Sequence, residues 1–325
     1  MWCAMVGVSL SILTFQGCTK EDKANCGISV RFFYEKNVYF ADKFSNQVSQ
    51  IELYIFDANG NYVETHTASG SQQQGGGPHL PKDFTMKLTH IRPGTYTLVA
   101  WGNVDHNLSY AKQVPNFNEA ELNLNVVETT GHAPRTENTS LFHGCIQQLV
   151  VSKDAEGTQE FDMPLTKFSN LIEVTKKGLP SNPLNPSFHC YITSKNGGYK
   201  FDGSYANTDE VRYNPYPVSV ELDGSTIIST FNVLRELNNN ATDSRLIVEH
   251  ELPSGDLDEI YNESLVELLA LSAGTPFDAY TPNNTGDLDR DDQFRIEALF
   301  DLTAGTVTIK INDWEVVKKP LSPLL

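Results

Sequence analysis

Apolar and polar residues alternate with a period of two along this chain from one end to the other, and that pattern restricts it to β-structure. Ile28, Val30, Phe32 and Tyr34 line one face of a first strand, and Ile51, Leu53 and Ile55 one face of a second. Phe84, Met86 and Leu88 form a further set, as do Phe294, Ile296, Ala298 and Phe300, and then Val307, Ile309 and Ile311. Polar residues such as Thr85, Lys87, Arg295, Glu297, Thr308 and Lys310 take the intervening positions. One apolar face and one wet face is the pattern of antiparallel sheets that pack as sandwiches.

The turn residues agree with that reading. Asn59-Gly60, Asn196-Gly197-Gly198 and Asp223-Gly224 each separate two alternating runs. Asn-Gly and Asp-Gly pairs supply the positive φ angles that tight hairpins need. Pro93-Gly94 turns the chain into the run TYTLVAW. Helical periodicity is confined to Leu257–Leu271, where Ile260, Leu265, Leu268 and Leu269 fall near one face; this predicts one helix inserted in the second half.

At 325 residues the chain has room for two domains. Ser69–Pro78 (SGSQQQGGGP) reads as a flexible loop. Gly178–Pro186 carries three prolines but follows the strand-like run FSNLIEVT, so the break is placed before Phe168. The expected division is 1–17 as a leader, 18–166 as an N-terminal β-sandwich and 167–325 as a C-terminal one. The fold class is therefore all-β.

A formal charge of −17 argues against nucleic acid, whose phosphates demand a basic surface. No phosphate-binding glycine loop, GxSxG, HExxH or nucleophilic cysteine near a histidine is present, so no catalytic residue and no cofactor is assigned. Asp287, Asp289 and Asp291 alternate like the opening of a calcium loop, but Asp292 stands where glycine is required and Ala298 where glutamate is. No metal is expected. Trp101 and Trp314 each end a strand; exposed, they would form a platform for a glycan, and buried, they would plug a sandwich core.

The N-terminus carries a compartment signal. Val6–Phe15 is uncharged and too short for a membrane span, which takes about 20 apolar residues, but it has the length of a signal-peptide core. It ends in Gly17-Cys18, a small residue and then a cysteine, where a bacterial lipoprotein would be cut and Cys18 acylated. An ordinary cleaved signal beside a chance cysteine is the alternative. Beyond the leader, Cys26, Cys145 and Cys190 are too few for a disulfide framework.

Several phrases taken in order resemble one family, the fimbrillin-associated anchor and minor subunits of Bacteroidales type V pili. They are CGISVRFFYEKN from Cys26, VSQIELYIFDANGNYV from Val48, IRPGTYTLVAWGN from Ile91, and LFHGCIQQLVV from Leu141. MPLTKFSNLIEVT from Met163 and the closing LDRDDQFRIEALFDLTAGTVTIKINDW from Leu288 complete the set. The resemblance implies two tandem transthyretin-like sandwiches on a lipoprotein carried to the outer membrane, with Cys18–Asp22 similar to the lysine-plus-acidic tetrad that marks surface export. It also implies fimbrial stem or minor subunits as partners. In such a family, stem subunits lose their first strand to a trypsin-like protease and accept a neighbour's C-terminal strand instead. An anchor keeps both strand and lipid.

The working parts expected on that basis are the acylated Cys18, the retained strand Ile28, Val30, Phe32 and Tyr34, and a final strand with Val307, Ile309, Ile311 and Val316 as a donor. Lys36–Gln47 contains no arginine, and Arg31 lies within the strand, which favours retention. The tail after Trp314, broken by Pro320 and Pro323, speaks against a long donor, and so leaves a tip or other minor subunit open. The rival function is a glycan-binding surface lipoprotein using Trp101 or Trp314.

Overall fold

A computed structural model describes residues 27–72, 77–104, 110–125, 140–152, 157–179, 187–206, 209–216, 218–220, 226–235, 243–271, 290–312 and 314–320. The first unit opens with β1 (Gly27–Phe33), a single helical turn α1 (Phe44–Gln47) and the hairpin β2 (Gln50–Asp57) and β3 (Tyr62–Ser69). It continues through the short pair β4 (Ser71–Gln72) and β5 (Pro78–His79) to β6 (Thr85–Leu88), β7 (Gly94–Gly102), β8 (Tyr110–Gln113) and β9 (Glu121–Leu124). It closes with β10 (Phe142–Val151), β11 (Thr158–Pro164) and β12 (Thr166–Lys167).

The second unit runs β13 (Ser169–Lys177), β14 (Phe188–Ser194), β15 (Gly198–Lys200), β16 (Val211–Tyr213), β17 (Val218–Val220) and β18 (Thr226–Leu234). Then come β19 (Arg245–Glu251), β20 (Leu257–Ser264) and the helix α2 (Leu265–Leu271). The last strands are β21 (Gln293–Asp301), β22 (Thr306–Ile311) and β23 (Trp314–Pro320).

One topology is used twice. In the first sandwich β1 lies between a parallel partner, β11, and an antiparallel one, β6; the facing sheet has the order β12-β10-β7-β2-β3. In the second, β13 lies between parallel β21 and antiparallel β18, facing the sheet β16-β14-β19-β20. No sequence repeat announces this, because the repeated property is only which face is apolar. Beyond β21 the second unit adds β22 and β23, which have no counterpart beside β11 among the described residues.

Each sandwich closes over its own core. Ile28, Val30 and Phe32 meet Leu53, Ile55 and Phe142 in the first; Ile172 and Val174 meet Ile192, Phe231 and Ile296 in the second. A third core joins the units. Tyr54, Phe56 and Trp101 on the outer face of the first unit's larger sheet pack against Leu122, Phe201 and Leu234. Strand β2 is therefore buried on both faces, Ile51, Leu53 and Ile55 inward and Tyr54 and Phe56 toward the second unit.

Two sequence expectations are corrected. Leu257–Leu271 is not one helix: Leu257–Ser264 pairs with β19 as β20, and only Leu265–Leu271 is helical. The Asn196-Gly197-Gly198 turn does not fold YKFDG back on β14; β15 crosses instead to the first unit and pairs with β9. Gly198 permits that crossing, since a Cβ there would lie 2.8 Å from the Leu122 carbonyl oxygen and 2.0 Å from Asn123 Oδ1.

Candidate functional site

The groups that decide whether the chain can exchange a strand are those that hold β1. Its seven residues pair on both sides, in register from Gly27↔Thr158 to Phe33↔Pro164 and from Ile28↔Leu88 to Arg31↔Thr85. Ile28, Val30, Phe32 and Tyr34 are all buried in the first core. Phe32 stacks with Phe44 and Phe84 at centroid distances of 6.3 and 5.8 Å. On the wet face, Arg31 and Asp162 form a two-pronged ion pair, Nε to Oδ1 at 2.9 Å and Nη2 to Oδ2 at 2.8 Å. Each holds the other charged: the pair raises the guanidinium's pKa and lowers the carboxyl's.

The end of β1 is fastened to the second unit. Burial first, and then the neighbouring Asp292 carboxylate that accepts its hydrogen bond, push the Tyr34 phenol above its ordinary range. Asp292 also meets Lys167 Nζ at 2.6 Å, with Lys167 only 6% and Asp292 17% exposed. The Arg235 guanidinium donates to the Lys167 carbonyl at 2.8 Å. Two residues before Asp292, Arg290 Nη1 donates to the carbonyls of Glu35 and Asn37 at 3.3 and 3.4 Å. Sequence reasoning missed this lock, because Tyr34, Lys167, Arg235 and Asp292 lie 57 to 258 residues apart along the chain and nothing local marks them.

Removing the Tyr34 hydroxyl tests the lock directly. Tyr34→Phe keeps the ring against Phe142, centroids 5.0 Å apart, and deletes only the bond to a charged acceptor. We expect a loss of about 1–2 kcal/mol in urea unfolding; an unchanged midpoint would mean that Asp292 is satisfied without it.

The other expected site residues fall as follows. Trp101 is 1% exposed and ringed by His143, Phe168 and Phe201, so it offers no face to a sugar; this corrects its reading as a glycan platform. It plugs the core between the units. Val307, Ile309 and Ile311 are buried in β22, which pairs with β21 on one side and β23 on the other, so they are core residues of the chain as folded rather than a free donor. The tail reaches further as a strand than its prolines suggest, since β23 continues to Pro320 opposite Thr306. The side chains of Trp314 and Val316, together with Cys18, the leader, Cys26 and Asp287–Asp289, lie outside the described residues. Cys145 and Cys190 are free, and burial raises both thiols, Cys145 to about 11. Among the described residues no cluster of His, Cys, Asp or Glu is suited to a metal ion.

Comparison with known proteins places this architecture. The family model for fimbrillin-A associated anchor proteins Mfa1 and Mfa2 matches residues 20–319. The minor fimbrium anchoring subunit Mfa2 of Porphyromonas gingivalis is 22% identical over 244 residues, covering 74% of this chain and 70% of that protein. The crystal structure of the fimbrial anchor protein Mfa2 from Porphyromonas gingivalis superposes with a TM-score of 0.69 at 20% identity, over 91% of this chain and 100% of that one. An adhesin candidate from Bacteroides thetaiotaomicron superposes with a TM-score of 0.68 at 22% identity, over 89% and 97%.

Proposed function

The chain belongs to the fimbrillin-A associated anchor family, and on that premise we propose that it anchors or ends a fimbrium at the outer membrane, tethered by a lipid on Cys18 and keeping its first strand. Members of this family are structural fimbrial proteins and not enzymes. The observation that carries the finer reading is the hold on β1: a strand paired on both edges, with four core side chains and a polar lock to the second unit.

The physical consequence is about capping. A sandwich that has lost a strand exposes core and unpaired backbone groups and takes up a neighbour's strand. A sandwich that keeps β1 has that slot filled and ends the series. The opposite end of the chain is the part we assign to the neighbouring stem or minor subunit, through the edge strand β23 rather than through the buried residues of β22. We read the break between the two units as lying at Phe168, between β12 and β13.

N-terminal mass analysis of the protein released from the cell surface tests the proposal. An acylated Cys18 is the expected result, and a mature start after Arg31, Lys36 or Lys43 overturns it. Loss of the gene should strip fibres from the cell or release them into the medium.

A protease experiment separates retention from mere absence of the enzyme. A protease must bind its substrate as an extended chain with free edges, and Arg31 pairs with Asp162 on one side and Thr85 on the other. An arginine-specific protease is therefore expected to leave the Arg31–Phe32 bond intact in the folded protein. Cleavage there at the rate seen for the urea-unfolded chain would remove the basis for a retained strand.

A further inference from the structure

Between β1 and α1 the chain exposes three consecutive apolar side chains, Val38, Tyr39 and Phe40, at 47, 68 and 65%. The segment around them is held in one shape. The buried Asn37 side chain donates to the carbonyls of Tyr34 and Ala41 at 3.0 and 2.8 Å and accepts from the Tyr39 amide at 3.0 Å. Asp42 Oδ1 accepts from the amides of Tyr34 and Phe44 at 3.0 and 2.9 Å. Phe40 sits at φ +48°, a left-handed backbone that costs a bulky residue about 1–2 kcal/mol. A strained, bonded loop that offers aromatic rings to water loses stability in two ways, and neither is needed to connect β1 to α1.

Beside the loop lies a shallow, open-mouthed cavity of about 410 Å3, in volume within the range of about 300–1,000 Å3 that small-molecule sites occupy. Phe33 and Phe40 supply aromatic surface, Glu35 a carboxylate, Thr166 a hydroxyl, and Lys36 and Arg290 cationic donors. The Arg290 guanidinium lies over the Phe40 ring at 4.4 Å and Lys43 Nζ over the Tyr39 ring at 4.7 Å, so each ring is steadied by a cation. Aromatic surface ringed by both donors and acceptors is the chemistry that recognises a pyranose, whose apolar C–H face stacks while its hydroxyls donate and accept. An anionic lipid surface would find Glu35 in the way.

We propose that this cavity is a saccharide-binding site, with Phe40 as the stacking platform and Glu35, Thr166 and Arg290 as hydroxyl partners. It adjoins the hold on β1, since Phe33 and its register partner Pro164 line it and Arg290 serves both, so the chain would carry a glycan contact beside the strand that gives it a place in the fibre. The aromatic platform that the sequence suggested at tryptophan is supplied instead by Phe40, with Phe33 beside it.

Calorimetric titration of the full chain with maltohexaose, mannohexaose, xylohexaose, chitohexaose and sialyllactose tests this. Saturable binding of at least one is expected, weakened about tenfold or more by Phe40→Gly. That variant suits the left-handed backbone, which offsets the lost contact with Arg290, so its thermal midpoint should stay close to that of the wild type, which separates lost binding from lost folding. Tyr62→Ser, at an exposed aromatic on β3, should leave binding unchanged. Binding of no saccharide in the set, or binding that Phe40→Gly leaves intact, overturns the site. Either failure leaves the acylation of Cys18 and the protection of Arg31 where their own experiments put them.

Discussion

Phe32→Ala is expected to lower the unfolding free energy by about 3–5 kcal/mol, the loss typical of a buried phenylalanine cut back to alanine. Phe32 is 1% exposed, packed in line with Val30 and Tyr34, and clustered with Phe44 and Phe84, whose own rings are 6.1 Å apart. Those neighbours belong to the helical turn and to the segment entering β6, so the cavity left behind is walled by elements fixed elsewhere and cannot collapse easily. Domains of this kind are stable by only about 5–15 kcal/mol in total, so a third or more of the margin goes. Urea unfolding followed by circular dichroism gives the number, with a constant slope certifying that the same transition is observed.

The same variant should also change proteolysis. Cleavage at Arg31 requires β1 to leave its slot, and the open fraction rises about tenfold for each 1.4 kcal/mol lost. An arginine-specific protease that spares the wild-type chain should therefore cut Phe32→Ala at Arg31 at least a hundredfold faster. If stability falls and Arg31 stays protected, β1 is held by its backbone pairing and the lock at Tyr34 rather than by its core side chains.

What could be read in the sequence, and what could not, divides along the same physical line. Ile28, Val30, Phe32 and Tyr34 announce their strand because burial on one face of a sheet is a period-two property carried by neighbouring residues. The Asn59-Gly60 hairpin announces itself because a tight turn is local too: β2 pairs directly with β3 across it. Tyr54 and Phe56 do not announce that their face is buried as well, because the surface covering it comes from Leu122, Phe201 and Leu234, far along the chain.

Leu257–Ser264 reads as helix for a related reason. Ile260 and Tyr261 are both buried beside a register shift between Val248 and Glu249 of β19, which spoils the alternation, and pairing with β19 overrides the local preference. The lock at Tyr34, Lys167, Arg235 and Asp292 and the cavity at Phe40 lie wholly on the illegible side. Each is assembled from residues that only the fold brings together. The exposed run Val38–Phe40 was visible as letters, but its strain and its setting were not.

Acid should loosen the join between the two units, and His143 is the group expected to do most of it. Its ring lies buried on β10 of the first unit, between Trp101 and Phe168 at centroid distances of 4.5 and 4.8 Å. Nε2 donates to the Phe201 carbonyl of the second unit at 3.0 Å, an acceptor that fixes which nitrogen carries the proton. Burial pushes its pKa down from 6.5 to about 4, against a smaller upward pull from that carbonyl and from the Asp202 carboxylate.

The folded chain therefore keeps His143 neutral over a range in which the unfolded chain protonates it. Stability is fully present above pH 6.5, falls as pH drops from there toward about 4, and changes no further from this group below that. A shift of this size corresponds to about 3 kcal/mol across the window. Other groups titrate in the same range, so the measurement is a difference: urea unfolding of the wild type and of His143→Gln at neutral pH and at pH ~4.5. The glutamine amide can donate to the Phe201 carbonyl but cannot take up a proton, so the variant should lose much less stability on acidification. Equal losses in the two proteins would move the acid sensitivity to carboxylates elsewhere and leave the aromatic core around Trp101 indifferent to pH.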